Sequence, residues 1–137
     1  MKNDLFVDIS AFMALNDAKD QHYQEAMSIA SNIGEIKFVI SDAVISETYT
    51  ILRYRLGQRQ AFRFLSTVLD SKEYEIVAIS NDLRKLTLDL LEKYNDHKIS
   101  YCDALSAAIM AQYKIPCIFT FDHHFEILGV KRLFFKT

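Results

Sequence analysis

Short runs rich in Val, Ile and Phe recur at residues 5–7, 38–40, 76–79 and 118–121, with a weaker one at 132–135, and segments of helical period fill the gaps. Apolar runs of this length, bounded by polar residues, read as buried strands. Between them, Leu83, Leu86, Leu90 and Tyr94 fall on one helical face, and Ala104, Leu105, Ala108 and Ile109 on another. The resulting order, β-α-β-α-β-α-β-α-β, favours a parallel sheet, because successive parallel strands need long crossovers and a helix is the natural crossover. The gap from 43 to 71 is long enough for two helices joined near Gly57. The expected fold is α/β: a three-layer α/β/α domain with a mainly parallel central sheet of about five strands. Any site should lie outside the carboxyl ends of those strands.

One such domain is expected to occupy residues 1–137. The chain has only one Pro and three Gly, no Ser/Gly-rich linker and no repeat of fixed period, so a domain boundary has no obvious place. Half of the residues are apolar, which excludes a disordered chain. No stretch approaches the roughly 18 apolar residues of a membrane span, so a cytoplasmic protein without membrane contact is expected. Cys102 and Cys117 lack C-x-x-C spacing and lie among apolar residues, as reduced core thiols do.

The acids become informative once placed on this scheme. Asp8 and Asp122 each follow an apolar strand, at the carboxyl edge of the sheet. Helix N-termini lie at the same edge, and Ser100-Tyr101-Cys102-Asp103 resembles a helix start with Ser100 as cap. Glu47 stands about one turn into the helix begun by Ser41-Asp42, at the border of an inward stripe of Val44, Ile45, Thr48, Ile51 and Leu52. Taken singly, Asp8 and Asp122 could be N-caps, Asp103 a helix-dipole partner and Glu47 a solvated side chain. Taken together, four acids distant in sequence converge on one edge. Crowded carboxylates repel and call for a cation, and hard cations prefer oxygen donors. Such an ion can activate water and stabilise both oxygens of a phosphodiester displacement.

At these positions the chain resembles the PIN-domain ribonucleases, above all the VapC-like toxins of toxin-antitoxin pairs. The resemblance rests on Phe6-Val7-Asp8-Ile9-Ser10-Ala11, Ser46-Glu47, Tyr101-Cys102-Asp103-Ala104 and Thr120-Phe121-Asp122-His123-His124-Phe125, which occur in the family's order along nearly the whole chain. It implies that Asp8, Glu47, Asp103 and Asp122 form a catalytic, metal-binding centre for Mg²⁺ or Mn²⁺, with Ser10 and Thr120 lending hydroxyls. It further implies hydrolysis of RNA, commonly a homodimer, and an antitoxin that wraps the nuclease and lands on the helical hairpin. Ile9 departs from the pattern, which often has Thr there, and this puts one local hydrogen bond in doubt. A housekeeping RNA-processing nuclease of the same fold, or a PIN-like RNA- or protein-binding module without activity, are the competing readings.

The formal charge of −2 carries little weight, since a cation-holding cluster contributes negative charge without presenting it to substrate. The most basic stretch holds Arg53, Arg55, Arg59 and Arg63 with interleaved aromatics, and its arginines are candidates for contact with RNA phosphates or an acidic antitoxin. Lys98, Lys131 and Arg132 are weaker candidates. The Asp-His-His string at 122–124 also occurs in DHH phosphoesterases, but these need further acidic and histidine motifs downstream. His123 and His124 are therefore expected as exposed positions on a short helix, and His22 and His97 as surface residues. No Gly-x-Ser-x-Gly elbow, Walker loop or Gly-x-Gly-x-x-Gly is present, which speaks against nucleophilic hydrolases and nucleotide-driven enzymes.

Overall fold

A computed structural model of the chain describes residues 4–133. Its four strands are β1 (Asp4–Val7), β2 (Lys37–Ser41), β3 (Tyr74–Val77) and β4 (Cys117–Phe119). All pair in parallel, in the order β3-β2-β1-β4. The expected fifth strand is present in part. Arg132 forms an isolated parallel bridge with Ile118, through Ile118 N donating to Lys131 O and Leu133 N donating to Ile118 O, while Phe134 and Phe135 lie outside the described residues.

Each crossover carries two helices: α1 (Ile9–Asn16) and α2 (Tyr23–Asn32), α3 (Asp42–Arg55) and α4 (Gln58–Asp70), α5 (Asn81–Lys93) and α6 (Tyr101–Tyr113). A short α7 (His124–Ile127) follows β4. The sequence pattern resolved the second and third pairs but not the first. Its α1, with Ala11, Phe12, Met13 and Ala14 all buried, has no polar face and so no readable period. The α3/α4 hairpin turns at Gly57, whose φ of 98° lies in the left-handed region that glycine enters without penalty. Serine caps set three helix starts: Ser41 Oγ accepts from Val44 N, Ser80 Oγ from Leu83 N and Ser100 Oγ from Asp103 N.

Strand bounds differ from the pattern where pairing overrides it. β3 begins two residues earlier than the apolar run because Phe38 pairs with Tyr74, and it ends at Val77 because its partner Ser41 turns there to cap α3. β4 stops at Phe119, since the next groups bond side chains instead of the ladder. The core lies on both sheet faces. Leu5, Phe6, Ile40, Leu52, Leu83, Leu105, Ile109, Ile118 and Phe125 are fully buried, each worth roughly 1.5–3 kcal/mol. Helix α6 is buried continuously from Cys102 to Met110, and its small residues Ala104, Ser106, Ala107 and Ala108 let neighbours approach it closely. Among the described residues, no helix is long and apolar enough to cross a membrane.

This topology positions the site. From β1 the chain moves to β2 and β3 on one side, then returns to place β4 on the other side of β1. The order therefore reverses between β1 and β4, and in open parallel sheets ligands bind where it reverses, beyond the carboxyl ends.

Candidate metal centre

Asp8 and Asp122 stand just beyond β1 and β4, at that reversal. Asp8 caps α1 in extended backbone and is almost wholly buried. Its Oδ2 accepts from Ser10 Oγ at 2.9 Å, from Thr120 Oγ1 at 2.8 Å and from Ser10 N at 3.4 Å. Ser10 Oγ in turn accepts from Phe121 N at 2.9 Å, and Thr120 Oγ1 from Asp122 N at 3.0 Å. These two hydroxyls, 3.0 Å apart, thus fix the end of β4 to the acid that follows β1. Oδ1 of Asp8 is buried with no hydrogen-bond partner among the described residues. An ionised oxygen left this way is costly unless a cation or proton meets it. Burial accordingly pushes the Asp8 carboxyl above its usual range, against the lowering effect of Thr120 and Ser10.

Asp103 lies in the first turn of α6, held there by the Ser100 cap, and is 8% exposed. Its pKa is pushed up to about 6, first by burial and then by the charges of Asp8 and Asp122, with Ser100 and His124 opposing. Asp122 is half-buried, and its Oδ1 accepts from His124 N at 2.9 Å, a turn that folds the chain back on itself. Glu47 is exposed on the second turn of α3, beside buried Val44, Ile45 and Thr48, and has no hydrogen-bond or ion-pair partner among the described residues. Its charge nonetheless reaches the Cys102 thiol, which burial, Glu47, Asp8 and Asp103 together push up to about 12. The four acids expected from the sequence thus surround one end of α6, and both cysteines are free thiols.

The tightest cluster has a different membership. One ligand atom each from Asp103, Asp122 and His124 lies within 4.8 Å of the others, with Asp8 and Glu47 outside this group. His124, expected as an exposed position, instead has its side chain 27% exposed, with Nδ1 3.2 Å from Asp122 Oδ1 and 3.7 Å from Asp103 Oδ2. The turn closed by Asp122 on His124 N is what swings the ring inward. An Asp two residues before a histidine is the only trace of this in the sequence. His123 is exposed as expected, and so is His97, whereas His22 stacks flat on Phe121 with ring centroids 4.4 Å apart.

The donors fit a hard divalent cation: several carboxylates, one with an unmet buried oxygen, and mutual repulsion that raises the proton affinity of Asp103. Cavities of about 350 and 380 Å³ lie elsewhere, one lined by Asp4, Val39, Glu75, Val77, Tyr113 and Ile115 and one between α5, α6 and the segment after α7; the first holds two acids, of which Glu75 is paired with Lys37 at 3.1 Å, and the second none. Thr120→Val is expected to destabilise the fold by about 1–2 kcal/mol, because it strips a donor from Asp8 and an acceptor from Asp122 N. It should also weaken divalent-ion binding about tenfold, as loss of a group that orients a ligand does. Urea unfolding and Mn²⁺ titration measure the two effects, and Thr120→Ser should restore both.

Arg53, Arg55, Arg59 and Arg63 are exposed and without ion pairs among the described residues. They sit around the α3/α4 turn with exposed Tyr54 and Phe62. Arg53 and Arg55 are six and eight residues beyond Glu47 on α3, so roughly 9 and 12 Å further along its axis. Along α3, Arg53 and Arg55 thus stand beyond the turn that carries Glu47.

Known proteins resemble this chain in both sequence and fold. The 23S rRNA-specific endonuclease VapC20 of Mycobacterium tuberculosis, in two strains, is 28% identical to this chain over 125 residues, spanning 91% of this chain and 94% of that protein. The crystal structure of VapC20 from the same organism, described as a sarcin-ricin loop cleaving toxin, superposes with a TM-score of 0.87 at 26% identity, covering 94% of this chain and 98% of that one. The PIN domain family model matches residues 5–131, a span that runs from within β1 past β4 and includes Asp8, Glu47, Asp103 and Asp122, and the chain belongs to that family.

Proposed function

We infer that this chain is a metal-dependent endoribonuclease whose centre is built from Asp8, Glu47, Asp103 and Asp122 with Mg²⁺ or Mn²⁺, and that it is the toxin of a toxin-antitoxin pair. The observation that supports the reading is the convergence of Asp8, Asp103 and Asp122 at the β1/β4 reversal, with Glu47 near enough for its charge to reach Cys102 and one buried Asp8 oxygen without a hydrogen-bond partner among the described residues. When bound, the ion supplies activation of water and neutralisation of phosphate charge. The chain's own residues do the rest. Ser10 and Thr120 hold Asp8 in one orientation, Ser100 fixes the turn of α6 that carries Asp103, and Glu47 stands exposed at the mouth, where it can align a water or an ion.

VapC20 is named for cutting 23S rRNA, and RNA is accordingly the substrate proposed here. The exposed arginines and aromatics of the α3/α4 turn suit a partner that is acidic and partly apolar. This is the surface proposed for an antitoxin segment, which would mask the centre in a cytoplasmic complex. A homodimer is proposed for the nuclease itself. The test is cleavage of end-labelled single-stranded and stem-loop RNAs by purified protein with Mn²⁺, with Mg²⁺ and with a chelator. Cutting in the presence of either ion and none with chelator is expected. Cutting that survives chelation, or none of any RNA by folded, ion-loaded protein, would refute the reading.

A further inference from the structure

We propose that His124 is a direct nitrogen ligand of the ion held by Asp103 and Asp122, making the centre a mixed nitrogen and oxygen site that favours a first-row transition ion over Mg²⁺. This rests on the metal-centre reading above and goes beyond its all-carboxylate form. His124 Nδ1 is 3.2 Å from Asp122 Oδ1 and 3.7 Å from Asp103 Oδ2. Two donors bound about 2.1–2.2 Å from one ion stand about 3.0 Å apart at a right angle and about 3.5 Å apart at a tetrahedral angle. A direct charge-assisted N–H···O bond is shorter, about 2.7–2.9 Å. The 3.2 Å spacing from the imidazole nitrogen to Asp122 falls between these two values, and the 3.7 Å spacing to Asp103 lies just beyond the tetrahedral one, so a small side-chain shift would seat one ion among all three.

The ring is also held for the task. Asp122 Oδ1 fixes the His124 backbone through its N–H, and the next residue, Phe125, is fully buried and anchors α7. Exposed His123, whose ring lies 4.6 Å from that of His124, has no ion pair with an acid among the described residues and serves as the control. Mg²⁺ favours an octahedron of oxygens and gains little from imidazole, whereas first-row transition ions bind it well.

The experiment is pulsed electron paramagnetic resonance of the full chain, stripped of metal and loaded with one equivalent of Mn²⁺. Wild type and His123→Asn should show the modulation of a directly coordinated imidazole ¹⁴N, and His124→Asn should not. In Mg²⁺ competition, the preference for Mn²⁺ should fall at least about tenfold in His124→Asn alone. Bound Mn²⁺ without nitrogen coupling in wild type would overturn the inference and leave the nuclease reading intact if RNA is still cut. Absence of any bound Mn²⁺, with no metal-dependent cutting, would overturn both. The wild-type spectrum decides the matter even if the His124 variant fails to fold.

Discussion

Asp103→Asn is expected to lower RNA cleavage at least about a thousandfold while leaving the chain folded, and Asp8→Asn is expected to do the same. The substitution preserves shape and one oxygen donor but removes a charge from a centre whose acids already raise one another's proton affinity. An ion bound there stabilises developing charge by several kcal/mol, and each 1.36 kcal/mol is about tenfold in rate. Losing most of that contribution therefore amounts to about three decades. The folds of both variants are expected to hold, because each side chain keeps its cap role: Ser100 Oγ still receives the amide of residue 103, and Asn is as good a cap as Asp at position 8. Initial rates on one labelled RNA, with circular dichroism alongside, measure this. Full cleavage by a folded variant would mean that the reaction runs elsewhere.

The same replacement should have the opposite effect on stability once metal is stripped away. Asp103 has its pKa raised from 3.8 to about 6 in the fold, by burial first and by Asp8 and Asp122 second. A carboxyl that binds its proton more tightly when folded makes the folded state favourable at low pH. That advantage is complete below about pH 4 and disappears as pH rises to about 6. Two pKa units correspond to about 3 kcal/mol, and salt screens the part due to Asp122 at the partly open mouth, leaving about 1–3 kcal/mol. In chelator at pH 7.5, Asp103→Asn should thus melt higher than wild type, by about 3–6 °C per kcal/mol for a chain of this size. The difference should shrink on acidification to pH 4. Saturating Mn²⁺ should reverse the order, since an ion at one hundred times its dissociation constant stabilises wild type by about 2.7 kcal/mol. Thermal melts with and without Mn²⁺ at both pH values test this. A lower melting point for the variant in chelator would show that the carboxylate is already compensated within the fold.

Much of this protein was legible in its sequence because the informative signals are local. The period of the apolar residues gave alternating strands and helices, serine caps marked where α3 and α6 begin, and position after a strand or within a first helical turn sent Asp8, Asp103 and Asp122 to one edge. What the pattern could not contain was pairing between distant segments. That β4 lies beside β1, which turns a row of acids into a cluster at the reversal point, depends on crossover direction and burial in the whole sheet. The bounds of β3 and β4 were set by their partners and by hydroxyls, not by their own apolar runs. His124 went to the acids because a side-chain-to-backbone turn rotated it inward, and Asp8 lost a donor on Oδ1 because both available hydroxyls reached Oδ2. Sequence alone determines which groups can meet, through periodicity and capping. The tertiary fold decides which of them do, since contact, desolvation and repulsion exist only once separate segments share the same few ångströms.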